Sequence, residues 1–68
     1  MDAAALKGKI KSRSMVQSDV AEGIGMSLSR FNAKLNGKGG AEFTLGEIVS
    51  LRKLLGISAE ETEVIFFR

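Results

Sequence analysis

The residues with chemistry to offer lie between Gln17 and Gly37, in the stretch QSDVAEGIGMSLSRFNAKLNG. Ser29, Arg30 and Asn32 carry donors and acceptors of the kind that bond base edges, and the Arg30 fork can donate two bonds to the O6 and N7 of guanine. Leu28 and Ala33 can meet the methyl group of thymine. These five side chains fall on one short helical segment, about 28–36, whose inward side is set by Phe31 and Leu35 at i and i+4. Leu28, Ser29, Asn32, Ala33 and Asn36 are left on the outer side, with Arg30 and Lys34 on its flanks. A polar helix face with small and apolar side chains between its donors is suited to the major groove of double-stranded DNA.

A second helix has to hold that face in place. Val20, Ala21 and Ile24 form a narrow apolar face just upstream, and Gly25, tolerant of positive φ, stops the segment. Ala21 is small enough to let two steeply crossing backbones approach. Met26 closes the turn as an apolar plug, Ser27 is placed to cap the next helix, and Gly37 ends it. Two short helices joined by a tight turn are a helix-turn-helix, with the motif at about 17–36.

At these residues the chain resembles the helix-turn-helix family of phage repressors and Cro proteins, which includes the lambda and 434 repressors. Gln17, Ala21, Gly25, Met26, Phe31 and the Asn36-Gly37 pair fall in the family's register without a gap. The run KLNGKGGAEFTLGEI at 34–48 and the IFF at 65–67 look like small prophage-encoded regulators of Gram-positive bacteria. The likeness covers roughly residues 6–67. It implies an all-α, five-helix, lambda-repressor-like DNA-binding domain acting as a transcriptional regulator. It also implies that Gln17 bonds a DNA phosphate and that Asn36 and Lys38 touch the sugar-phosphate backbone. Ser27 and Lys34 complete the expected phosphate contacts. Leu28 and Ala33 depart from the family, standing where many members carry polar base-reading side chains.

The rest of the chain reads as helices. Asp2 can cap a first helix from about Ala3 to Lys11, and Ser12 to Val16 connects it to the motif. The Lys38-Gly39-Gly40-Ala41 loop leads to Thr44-x-x-Glu47, a capping box for a fourth helix to about Leu55, with Phe43 and Ile48 as a hydrophobic staple. Ser58-x-x-Glu61 repeats the box for a fifth. The expected core is Leu6, Ile10, Val20, Ala21, Ile24, Met26, Phe31, Leu35, Phe43, Leu45, Ile48, Leu51, Leu55, Ile57, Val64 and Phe67. With Val64 and Phe67 turned inward, Ile65 and Phe66 look outward and form the expected interface of a homodimer.

Sixty-eight residues make one domain, 1–68, and a core this small must pack well or associate. Net charge is only +2, but residues 1–40 hold seven Lys or Arg against three acids and residues 41–68 three against five. A basic half containing the reading helix would orient the protein on a polyanion. No apolar run approaches the roughly 18 residues of a membrane span, and Asp2 makes the N-terminus a poor signal peptide, so no membrane partner and a cytoplasmic location are expected. The chain has no Cys and no His, so disulfides are excluded, the usual zinc ligands are missing, and no cofactor is expected. Enzymatic work would fall to carboxylates such as Glu60, Glu61 and Glu63 on an exposed helix, with little room for a small-molecule substrate. The competing reading is a protein-interaction module, an anti-repressor or antitoxin-like partner that keeps the helix-turn-helix.

Overall fold

Helix starts are fixed here by side chains that take over free backbone amides. In the computed structural model, which describes residues 1–68, five α-helices run in the order α1 Ala3–Ser12, α2 Gln17–Gly23, α3 Leu28–Leu35, α4 Leu45–Leu55 and α5 Ala59–Phe66. A single 3₁₀ turn at Lys38–Gly40 separates α3 from α4, and there is no strand. The Asp2 carboxylate accepts from the Ala5 amide at 3.0 Å, and Ser27 Oγ accepts from the Arg30 amide at 3.2 Å. Both capping boxes close in both directions. Thr44 Oγ1 accepts from the Glu47 amide while Glu47 accepts from the Thr44 amide, and Ser58 and Glu61 do the same. At α2 the preceding residue is Val16, which has no hydroxyl, so only the return bond forms, from the Val16 amide to Asp19 at 3.0 Å. No helix is long and apolar enough to cross a membrane.

One core joins all five helices. Leu6 and Ile10 of α1, Val20 and Ala21 of α2, Met26 of the turn, Phe31 and Leu35 of α3, Leu51 and Leu55 of α4, Ile57 and Ile65 are buried together. Ile24 and Phe43 pack against this cluster from its edge. A chain of aromatic rings runs through it. Phe43 lies 5.5 Å from Phe31 and meets Phe66 edge-on at 6.3 Å, geometry that adds to simple area burial.

Helix α5 turns a different side inward from the one its sequence suggested. Ile65 is only 3 % exposed, and Phe66 packs against the core, whereas Val64 and Phe67 are 38 % and 59 % exposed. Ile65 and Phe66 are therefore not an outward-facing dimer surface. The reason is Thr62. Its hydroxyl donates to the Ser58 carbonyl at 2.6 Å, so the polar group is satisfied within the helix and the side chain can be buried. Thr62, Ile65 and Phe66 then form the inward stripe, and the Asp2 amide donates to the Ile65 carbonyl at 2.6 Å where α5 meets α1. Leu45 also leaves the expected core. It continues the Ile48 side of α4 but stands in the first helical turn, beyond the packed face, and is 72 % exposed.

Two cations stitch helices together. The Arg13 guanidinium caps the end of α4, donating to the Leu55 carbonyl at 2.7 Å and more weakly to Gly56 at 3.4 Å. Lys9 of α1 bonds both oxygens of Glu61 on α5, at 2.9 and 3.1 Å.

Ala21, 1 % exposed where α2 packs on α3, has no room for a longer side chain. Ala21→Leu should destabilise the protein by about 1 to 3 kcal/mol through overpacking, read as a lowered Tm by circular dichroism. An unchanged Tm would mean that the site can absorb three more carbons.

Candidate nucleic-acid interface

The turn between α2 and α3 is built as the motif requires. Gly25 adopts φ +71°, a conformation costly for any residue with a Cβ. The Met26 amide donates to the Ala21 carbonyl at 2.9 Å, closing the turn over the buried Met26 side chain. Phe31 and Leu35, both essentially inaccessible, fix the rotation of α3. At 100° per residue the remaining side chains divide into two groups. Leu28, Ser29, Asn32, Ala33 and Asn36 share one continuous arc. Arg30 and Lys34, at i and i+4, lie on the other flank.

The arc is accessible. Leu28 is 43 % exposed, Ser29 and Asn36 are exposed, and Asn32 and Ala33 are half-buried. One of its polar side chains is already occupied, because the Asn36 side-chain amide donates to the Asn32 main-chain carbonyl at 2.9 Å and so caps the end of α3. Ser27 is likewise occupied as the N-cap. Gln17, in the first turn of α2, is half-buried, and Arg30 is exposed with no carboxylate partner.

The two flank cations have different fates. Lys34 bonds both oxygens of Glu47 at 2.6 and 2.8 Å, with both side chains mostly covered. It ties α3 to the start of α4 and is not a free phosphate contact. Burial acts to raise the Glu47 pKa, but the hydrogen bonds from Lys34 and the Thr44 amide outweigh it and hold the carboxyl below its ordinary value. Glu61, bonded by Lys9 and the Ser58 amide, is pushed down to about 2. With Lys9, Arg13 and Lys34 engaged by other groups of the protein, Lys7, Lys11, Arg30 and Lys38 are left as the cations of the basic half without a partner.

Past α3 the chain turns on Gly37, in the left-handed region at φ +64°, and enters the 3₁₀ turn. The main-chain amides of Lys38 and Gly39 have no acceptor within the protein, and the Lys38 side chain is exposed. On another side, an open groove runs beside Phe43 and Phe66, bordered by the exposed side chains of Met1, Leu45 and Phe67. This apolar surface was not expected from sequence. It follows from the rotation of α5 and from the early position of Leu45 in α4.

The Lys34–Glu47 pair gives a test in two parts. Lys34→Met should lower stability by about 1.5 to 3 kcal/mol, since it removes bonds between charged groups, and leave the salt dependence of any DNA binding unchanged. A salt slope reduced by about 1 would instead make Lys34 a phosphate contact. Because Glu47 and Glu61 titrate lower in the folded chain, their contribution is fully present above the ordinary carboxylate range and is lost as pH falls, toward about 2 for Glu61. Tm measured from pH 6 downward should therefore fall below about pH 5, and Glu61→Gln should flatten that fall. A Tm independent of pH in this range would show that neither carboxylate is held as described. No protein-family model, no curated protein and no solved structure matches this chain.

Proposed function

We propose that the protein is a sequence-preferring, double-stranded-DNA-binding transcriptional regulator of the phage repressor and Cro type, acting in the cytoplasm and of prophage origin. The observation that carries this reading is α3 itself. It is anchored on one side by Phe31 and Leu35 and leaves an accessible arc of short polar and apolar side chains on the other. A helix with its side chains is about 10 to 12 Å across, and the major groove is about 12 Å wide.

In this reading Ser29, Asn32, Leu28 and Ala33 face base edges. Arg30, the one long cation of α3 without a partner, donates to guanine from the rim of the groove. Gln17 at the start of α2 and the free amides and side chain of Lys38 and Gly39 hold phosphates on either side, where they fix register without reading sequence. A single body 27 Å in its longest extent cannot reach two successive major-groove faces 34 to 36 Å apart, so two copies would bind an operator. The surface to join them is the apolar border of Met1, Leu45 and Phe67, in place of Ile65 and Phe66. That same groove favours the second reading, a protein-interaction module, and ionic strength separates the two. DNA binding weakens steeply with salt, whereas apolar docking does not.

Arg30→Ala should leave the fold intact, weaken binding to a preferred duplex by about 1 to 3 kcal/mol and relax preference at one base pair. Gln17→Ala should weaken all duplexes alike. Fluorescence anisotropy on preferred and scrambled duplexes distinguishes these patterns, and unchanged affinity of the Arg30 variant for both would remove Arg30 from the interface. Phe67→Ser, at an exposed position, should keep Tm and give a monomer with weak half-site binding. Sedimentation of the unaltered protein as a monomer at high concentration, with a one-to-one complex on a palindrome, would rule out the pair.

A further inference from the structure

We infer that Leu28 makes this protein select thymine, by packing against the C5-methyl group in the major groove. This rests on the DNA-binding reading above and adds the kind of base pair the site prefers. The accessible arc of α3 lacks a long cation. Arg30 and Lys34 share the opposite flank, and Lys34 is held by Glu47. Of the arc's polar side chains, Asn36 spends a donor on the Asn32 carbonyl, and Asn32 is half-buried. Ser29 and Ala33 are short. Leu28 is the largest side chain on the arc, in the first turn of α3, and 43 % of it is exposed.

Leu28 belongs neither to the buried core nor to the side chains packed against it. The core below α3 is complete with Phe31 and Leu35, and Leu28 is not part of the apolar groove bordered by Met1, Leu45 and Phe67. An apolar side chain at the leading end of a helix gains by removing its surface from water. In the major groove the only apolar group on a base edge is the methyl of thymine. Ala33, five residues on at the other end of the arc, is small enough to let the helix approach and to touch a second methyl. Base selection by this chain is then weighted toward T·A pairs read through shape and methyl contact, with guanine read only where Arg30 reaches.

The test removes the methyl group and nothing else. A duplex selected from a random pool is remade with uracil in place of thymine, one position at a time, and affinities are compared for the unaltered protein, Leu28→Ala and Leu28→Asn. The unaltered protein should lose about 3- to 10-fold on at least one replacement, the scale of one or two buried carbons. Leu28→Ala should lose a comparable factor on the thymine duplex and become indifferent to that replacement, with Tm unchanged. Leu28→Asn should shift preference at that position toward adenine, which Asn can bond at N6 and N7. Uracil tolerated at every position by the unaltered protein would overturn the inference while leaving DNA binding standing. Failure to enrich any duplex would remove the reading on which it rests.

Discussion

Glu47 is the constraint on which the placement of α3 turns. As the third residue of α4 it returns a bond to the Thr44 amide, and with its other capacity it receives Lys34 from α3. One carboxylate thus starts one helix and fixes the flank of another. The geometry is repeated at Glu61, which closes the Ser58 box and holds Lys9 of α1. In both cases the negative charge also lies in the first helical turn, where the helix dipole favours it. Apolar burial supplies the larger part of stability. Phe31 and Leu35 set the rotation of α3 on the core, and Thr62 and Ile65 that of α5; the two glutamates tie those helices to their neighbours in that orientation.

That rotation decides what α3 can do. With Lys34 turned to α4, the face left free carries no long cation, and its chemistry is that of Leu28, Ser29, Asn32 and Ala33. Charge is supplied from the flank of α3 by Arg30 and from the turn just past its end by Lys38. Such a division, with charge at the rim and short side chains at the centre, suits a helix that must come close to base edges while phosphates are held at its borders.

Local signals made much of this architecture legible in the sequence. Asp2, Ser27, Thr44 and Ser58 cap the helices that follow them, and Gly25 and Gly37 take the positive φ that ends α2 and α3. These features are readable because each is decided within a few residues. What was not legible depends on partners distant in sequence or on an unexpected local bond. Lys34 and Glu47 are thirteen positions apart, and no spacing rule pairs them. The inward face of α5 is hidden in the sequence because Thr62 is polar, and only its bond to the Ser58 carbonyl lets it be buried. Once Thr62 is buried, Ile65 and Phe66 follow it inward and Phe67 is left outside. The outer side of α3 follows its sequence pattern, with Leu28, Ser29 and Asn36 exposed and Asn32 and Ala33 half-buried, whereas on the flank Lys34 is taken up by Glu47.

Whether the free arc of α3 reads duplex DNA is decided by selection from a random duplex pool at near-physiological salt. The pool should become enriched in a shared, two-fold symmetric site with half-site centres about one helical turn apart, roughly 10 base pairs, and that enrichment should be lost when Ser29 and Asn32 are replaced together by Ala in a protein of unchanged Tm. Recovery of unrelated sequences, or an enriched site indifferent to that double replacement, would contradict DNA reading by this arc.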